Sequence, residues 1–76
     1  MTQEQETFRV RSMSKSELAQ AYAPTLTPQG AVNRLMDWIR RNPELTDALH
    51  RSGYRKQQKL LTSYQVRIIA DYLGDP

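Results

Sequence analysis

The stretch Thr27–Leu45, "TPQGAVNRLMDWIRRNPEL", carries two helix starts and the widest apolar stripe in the chain. Thr27 is placed to accept a hydrogen bond from an orphan backbone N–H. Pro28, at the first helical position, gives up no bond that the helix needs. Ala31, Val32, Leu35, Met36, Trp38 and Ile39 then recur at i, i+3, i+4 and i+7, the spacing of one broad core-facing side. The reading is a helix over 28–41 with Gln29, Asn33, Arg34, Asp37, Arg40 and Arg41 pointing elsewhere. Trp38 falls on the stripe and is expected to be a buried structural residue rather than a stacking platform for bases. Asn42 and Pro43 repeat the cap-then-proline device and predict a short third helix over 43–52. It carries Leu45, Ala48 and Leu49 and stops at Gly53.

Toward the amino terminus, "SMSKSELAQAYA" holds Ser14 with Glu17 three residues later, a capping-box spacing that opens a helix over 15–23. Leu18, Ala21 and Tyr22 are expected to share its inner face. Pro24 ends it, because the residue before a proline is pushed out of the helical region. "FRVRS", from Phe8, alternates apolar and basic residues and predicts a half-buried strand over Phe8–Arg11. Residues 1–7 read as a disordered polar tail, and 8–76 as a single domain. The chain closes on "TSYQVRIIADYLGDP": Thr62 and Gln65 form a second box opening a helix over 63–73. Val66, Ile69, Ala70 and Leu73 are its buried candidates and Gly74 its stop. The apolar end of "KLL" suits a strand near Gln58–Leu61 pairing with Phe8–Arg11. The expected fold is mainly α: a compact four-helix domain with a small two-stranded β ribbon, winged helix-turn-helix-like.

Composition narrows function by exclusion. The chain has 76 residues, no cysteine, a single histidine and three isolated glycines. Thiolate metal sites, thiol nucleophiles, a multi-histidine metal site and a phosphate-cradling glycine loop are therefore not expected. His50 is expected at the surface near a helix end. A chain this short also struggles to enclose a dry site with preorganised oxyanion donors. The expectation is a non-enzyme without cofactor, metal or small-molecule substrate. The polar amino terminus has no apolar run to serve as a leader or anchor, so a cytoplasmic protein with no membrane role is expected.

Charge is unevenly placed. From Ala48 to Ala70 there are five cations, Arg51, Arg55, Lys56, Lys59 and Arg67, and no acid, more positive charge than the whole chain's net +3. The loop 54–60, "YRKQQKL", is thus either an anion-facing element or a solvated connection. Tyr54, at its start, can pack or stack on bases, and packing is favoured. A short capped helix, a proline-containing turn and a second helix presenting Gln29, Asn33 and Arg34 fit a helix-turn-helix. In that motif the second helix enters the major groove, Asn and Gln read adenine, and Arg reads guanine. Asp37 counts against this, since it would lie near phosphates. The candidate nucleic-acid-binding residues are Gln29, Asn33, Arg34, Arg55, Lys56 and Lys59, with double-stranded DNA as the expected partner. The alternative is a protein–protein interaction adaptor with no nucleic-acid role.

Two resemblances accompany this reading. The segment "SGYRKQQKLLTSYQVRIIADYL" is similar to the wing-plus-helix portion of MerR-like and excisionase-like domains, where a glycine-tyrosine-arginine step precedes a capped helix. Over nearly the whole chain, "FRVRSMSKSELAQAYAPTLTPQGAVNRLMDWI", "GYRKQQKLLT" and "QVRIIADYLGDP" resemble a family of small bacterial proteins known as domain of unknown function 4248. That resemblance implies one intact domain and brings no activity or site residues with it. The family's turn before the long helix is often more basic than "TPQGAVNR", which weakens the base-reading role for this helix.

Overall fold

The structure is a computed structural model that describes residues 8–76; the expected disordered tail, 1–7, lies outside the described residues. The element order is β1 (Met13–Ser14), α1 (Lys15–Tyr22), α2 (Pro28–Arg40), α3 (Pro43–Arg51), β2 (Leu60–Leu61) and α4 (Ser63–Leu73). The fold is mainly helical, four helices with a two-stranded antiparallel ribbon, as the caps and periodicities predict. Three helices end one residue earlier than expected, where Ala23, Arg41 and Ser52 serve as C-caps.

Each helix starts at the residue the sequence nominates. The side chains of Ser14, Thr27, Asn42 and Thr62 accept hydrogen bonds from the backbone N–H groups of Glu17, Gly30, Leu45 and Gln65. Only α4 has the complete reciprocal box, with the Gln65 side chain accepting from the Thr62 N–H at 3.1 Å. At α1 the box is half made, because the Glu17 carboxylate pairs with Arg11 instead of turning back to Ser14.

The strand is displaced from its expected place. Met13 pairs with Leu61 and Ser14 with Leu60, while Phe8–Arg11 forms no strand. Extending that register toward the amino terminus would set Ser12 opposite Thr62 and Arg11 opposite Ser63, where the partner chain has already entered α4. The ladder therefore cannot reach Phe8. Ser12 instead donates its hydroxyl to the Leu61 carbonyl at 2.9 Å, and Val10 is exposed. The pleat sends Met13 and Leu61 into the core and leaves Leu60 in solvent.

The core is continuous: Leu18 and Ala19 of α1, Ala31, Leu35 and Ile39 of α2, Leu45 and Leu49 of α3, Leu61, and Val66, Ile68 and Ile69 of α4. Helix α1 packs chiefly on α2, and α3 on α4 and α2. On α1 the buried companion of Leu18 is Ala19, whereas Ala21 is exposed and Tyr22 half-buried. Trp38 is likewise half-buried, at the edge of the α2 stripe instead of its centre, and Leu73 is half-buried at the end of α4. Trp38 meets Tyr22 edge to face, and Leu73 lines the same flank of the core.

Candidate nucleic-acid interface

The loop 54–60 leaves α3 through a tight reversal. Gly53 has φ +91°, a conformation that penalises any side chain, while its N–H donates to the His50 carbonyl and the Tyr54 N–H to the Leu49 carbonyl. These two bonds form a Schellman motif, which aims the chain back toward α1. Tyr54 packs, as expected: it is half-buried, and its hydroxyl lies 3.4 Å from the Met36 sulfur. His50 is exposed in the last turn of α3.

Beyond Tyr54 the backbone is held at several points. The Gln58 N–H donates to the Arg55 carbonyl at 3.0 Å, and the Gln58 side chain accepts from the Arg55 N–H. From α1, the Lys15 ammonium donates to the Lys56 carbonyl at 2.9 Å and the Lys15 N–H to the Lys59 carbonyl at 2.8 Å. Gln65, only 3% exposed, accepts from Gln58 at 2.6 Å and donates to the Ser52 hydroxyl at 3.2 Å, joining loop, α3 and α4. The side chains of Arg55, Lys56 and Lys59 project from this tethered backbone and are exposed.

Among the described residues, the ion pairs are Arg11–Glu17, Asp37 with Arg40 and Arg41, and Arg51–Asp47. None involves Arg55, Lys56 or Lys59. Arg51, the other cation of the acid-free stretch before the loop, is neutralised from Asp47, one turn earlier in α3. Asp37, expected to repel phosphate, is bracketed by two guanidinium groups that offset its charge.

The six candidate residues lie on two elements, Gln29, Asn33 and Arg34 on α2 and Arg55, Lys56 and Lys59 on the loop. Val32 shares a depression with Lys56–Lys59, and Met36 touches Tyr54, so this edge of α2 abuts the loop. Gln29 and Asn33 lie on the adjoining strip and are bonded to each other, Gln29 Nε2 donating to Asn33 Oδ1 at 3.0 Å. At about 100° per residue, Arg40 falls on the same strip and Arg34 turns about 100° away from Asn33. Asn33 and Arg34 nonetheless line one depression together with Arg40. Two residues escaped the sequence reading. Arg40 was legible from the i, i+4, i+7, i+11 row 29–33–36–40, while Lys15 had no local signal.

The opposite flank of α2 carries a separate apolar depression of about 500 Å3 lined by Tyr22, Trp38, Arg41, Leu73, Asp75 and Pro76. Burial, and secondarily the Asp75 carboxylate, push the Tyr22 phenol up to about 12. No helix among the described residues is long and apolar enough to cross a membrane.

Four capped helices and a short two-stranded ribbon define a small, mainly helical domain. The chain belongs to the family described as Domain of unknown function (DUF4248), which matches residues 9–76. That description names no ligand or activity. No curated protein and no solved structure matches the chain.

Proposed function

We propose that the domain is a non-catalytic DNA-binding module, with α2 at the major groove and the loop 54–60 along the phosphate backbone. The observation that carries this reading is a loop whose backbone is tied to α1 and α4 while Arg55, Lys56 and Lys59 remain exposed and outside every ion pair among the described residues. A rigid carrier with free cations loses little entropy on meeting phosphate. On this reading the arrangement is winged helix-turn-helix-like: α1, the turn and α2 supply the motif, and the loop leading into β2 takes the place of the wing. Gln29 and Asn33 are then the base readers, because they are exposed on one strip in the first turns of α2.

The test is duplex titration at several salt concentrations for the parent and for a triple variant, R55Q/K56Q/K59Q. The parent is expected to bind more weakly as salt rises. The variant is expected to keep its melting temperature, bind any duplex less tightly, and show a salt slope flatter by about 0.9 per lost phosphate contact. Salt-insensitive binding by the parent, or equal affinity in the variant, overturns the reading. The adaptor then takes its place, a reading favoured by Leu60 and Tyr64, which stand 67% and 63% exposed on the ribbon and the first turn of α4.

A further inference from the structure

Lys15 is 9% exposed, yet none of the ion pairs among the described residues uses it. Glu17, the acid nearest to it in sequence, is engaged with Arg11. The Lys15 ammonium has one hydrogen-bond acceptor among the described residues, the Lys56 carbonyl, and lies 5.0 Å from the centre of the Tyr54 ring. A carbonyl dipole and a ring quadrupole stabilise a cation only in part. A desolvated ammonium without a counter-charge remains costly, and it has three hydrogens to place. Lys15 also lines a depression of about 390 Å3 together with Lys56, Lys59, Ser14, Ser16 and Val32. Lys15, Lys56 and Lys59 therefore all line one space, with no acid among its lining residues.

We propose that this depression is a binding site for a phosphate group, with Lys15 as its fixed inner cation and Lys56 and Lys59 as its outer ones. The phosphate supplies the counter-charge that Lys15 lacks and takes up its remaining donors. Ser16, whose hydroxyl donates to the Gln20 side-chain oxygen at 3.4 Å, lines the same depression. This goes beyond the DNA reading, since the site is defined by the phosphate whether a duplex or a free phosphate carries it.

Binding only to the folded state raises the melting temperature. Inorganic phosphate at tenfold its dissociation constant should raise that of the parent by about 5–10 °C over chloride at matched ionic strength. K15M removes the buried charge and keeps the bulk. It is expected to melt in chloride at or above the parent, because an apolar replacement of a buried, uncompensated ion is often stabilising. It should show no gain from phosphate beyond the general salting effect, which acts on parent and variant alike. A Lys15 that merely held the loop would instead give a variant that melts lower in chloride and gains as much from phosphate.

The variant K56Q/K59Q, altered only at exposed positions, provides an independent arm. It should melt like the parent in chloride and lose the phosphate increment. An equal increment in parent and K15M, or an increment retained in K56Q/K59Q, overturns the site. Duplex titration separates the sources. Weaker duplex binding by K15M, with phosphate competing in the parent, identifies the occupant as a backbone phosphate. A phosphate increment in a parent that binds no duplex overturns the DNA reading and leaves the site standing for a free phosphate.

Discussion

The rings of Tyr22 and Trp38 stand nearly perpendicular, 87° between planes, with centroids 6.0 Å apart. This edge-to-face pair joins α1 to α2, and the Tyr22 hydroxyl reaches across to donate to the Gly74 carbonyl after α4. Three helices thus meet at two aromatic side chains, both half-buried. Trp38→Ala is expected to destabilise by about 2–3 kcal/mol, less than the roughly 3–5 kcal/mol of a fully buried tryptophan, because part of the ring already faces solvent. Chemical denaturation of the variant measures it, and an unchanged midpoint would show that the flank contributes nothing to the core.

The raised phenol of Tyr22 makes a pH prediction with a definite sign. Folding favours its neutral form, so the folded state holds the proton up to about 12 while the unfolded chain releases it near 10.0. The stabilisation is fully present below pH 10 and declines as pH rises from about 10 to about 12, since over that window the unfolded state binds fewer protons. Tyr22→Phe removes this component. Thermal melts of parent and Y22F from pH 8 to 11.5 should show the parent losing stability more steeply above pH 10, and parallel curves would refute the assignment.

Gln65 is a buried hub with four hydrogen bonds: its carbonyl accepts from Thr62 N–H and Gln58, its amide donates to Ser52, and its own N–H donates to Thr62. Gln65→Ala keeps the backbone bond and strands the others. A cost of about 2–3 kcal/mol is expected, as unsatisfied buried groups are more expensive than a bond is favourable. Amide hydrogen exchange should locate the loosening at Thr62 and at the loop around Gln58, rather than uniformly over the domain.

If the domain binds DNA as proposed, the turn of about 100° between Asn33 and Arg34 on α2 predicts unequal effects on recognition. Replacing Gln29 and Asn33 with Ala should alter sequence preference, by about 1–3 kcal/mol of discrimination at the bases they meet, more than overall affinity. Arg34→Ala should leave preference unchanged. Selection from a randomised duplex pool compares the three proteins, and a shift in preference caused by Arg34→Ala alone would place the reading face on the other side of α2.

What was legible in the sequence was whatever a few neighbouring residues decide. A cap bonds to a backbone group three residues on, Pro28 and Pro43 hold φ where a first turn needs it, and Gly53 and Gly74 adopt positive φ where helices stop. Four helices were therefore legible to within a residue at their ends, as was the α2 stripe that repeats every turn. The acid-free character of the loop 54–60 is equally a property of the chain itself. The ribbon register was not, because Phe8–Arg11 and Met13–Ser14 can both be extended and only the start of α4 decides how far the ladder reaches. Nor was the flank to which Trp38 turns, which depends on where Tyr22 and Leu73 arrive. Lys15 shows the difference most clearly: nothing in its neighbours signals burial, and it is buried because a loop some forty residues later folds over it and binds its ammonium through a backbone carbonyl. Local backbone preferences act over one helical turn. Burial and charge compensation are set by groups that only the tertiary structure brings together.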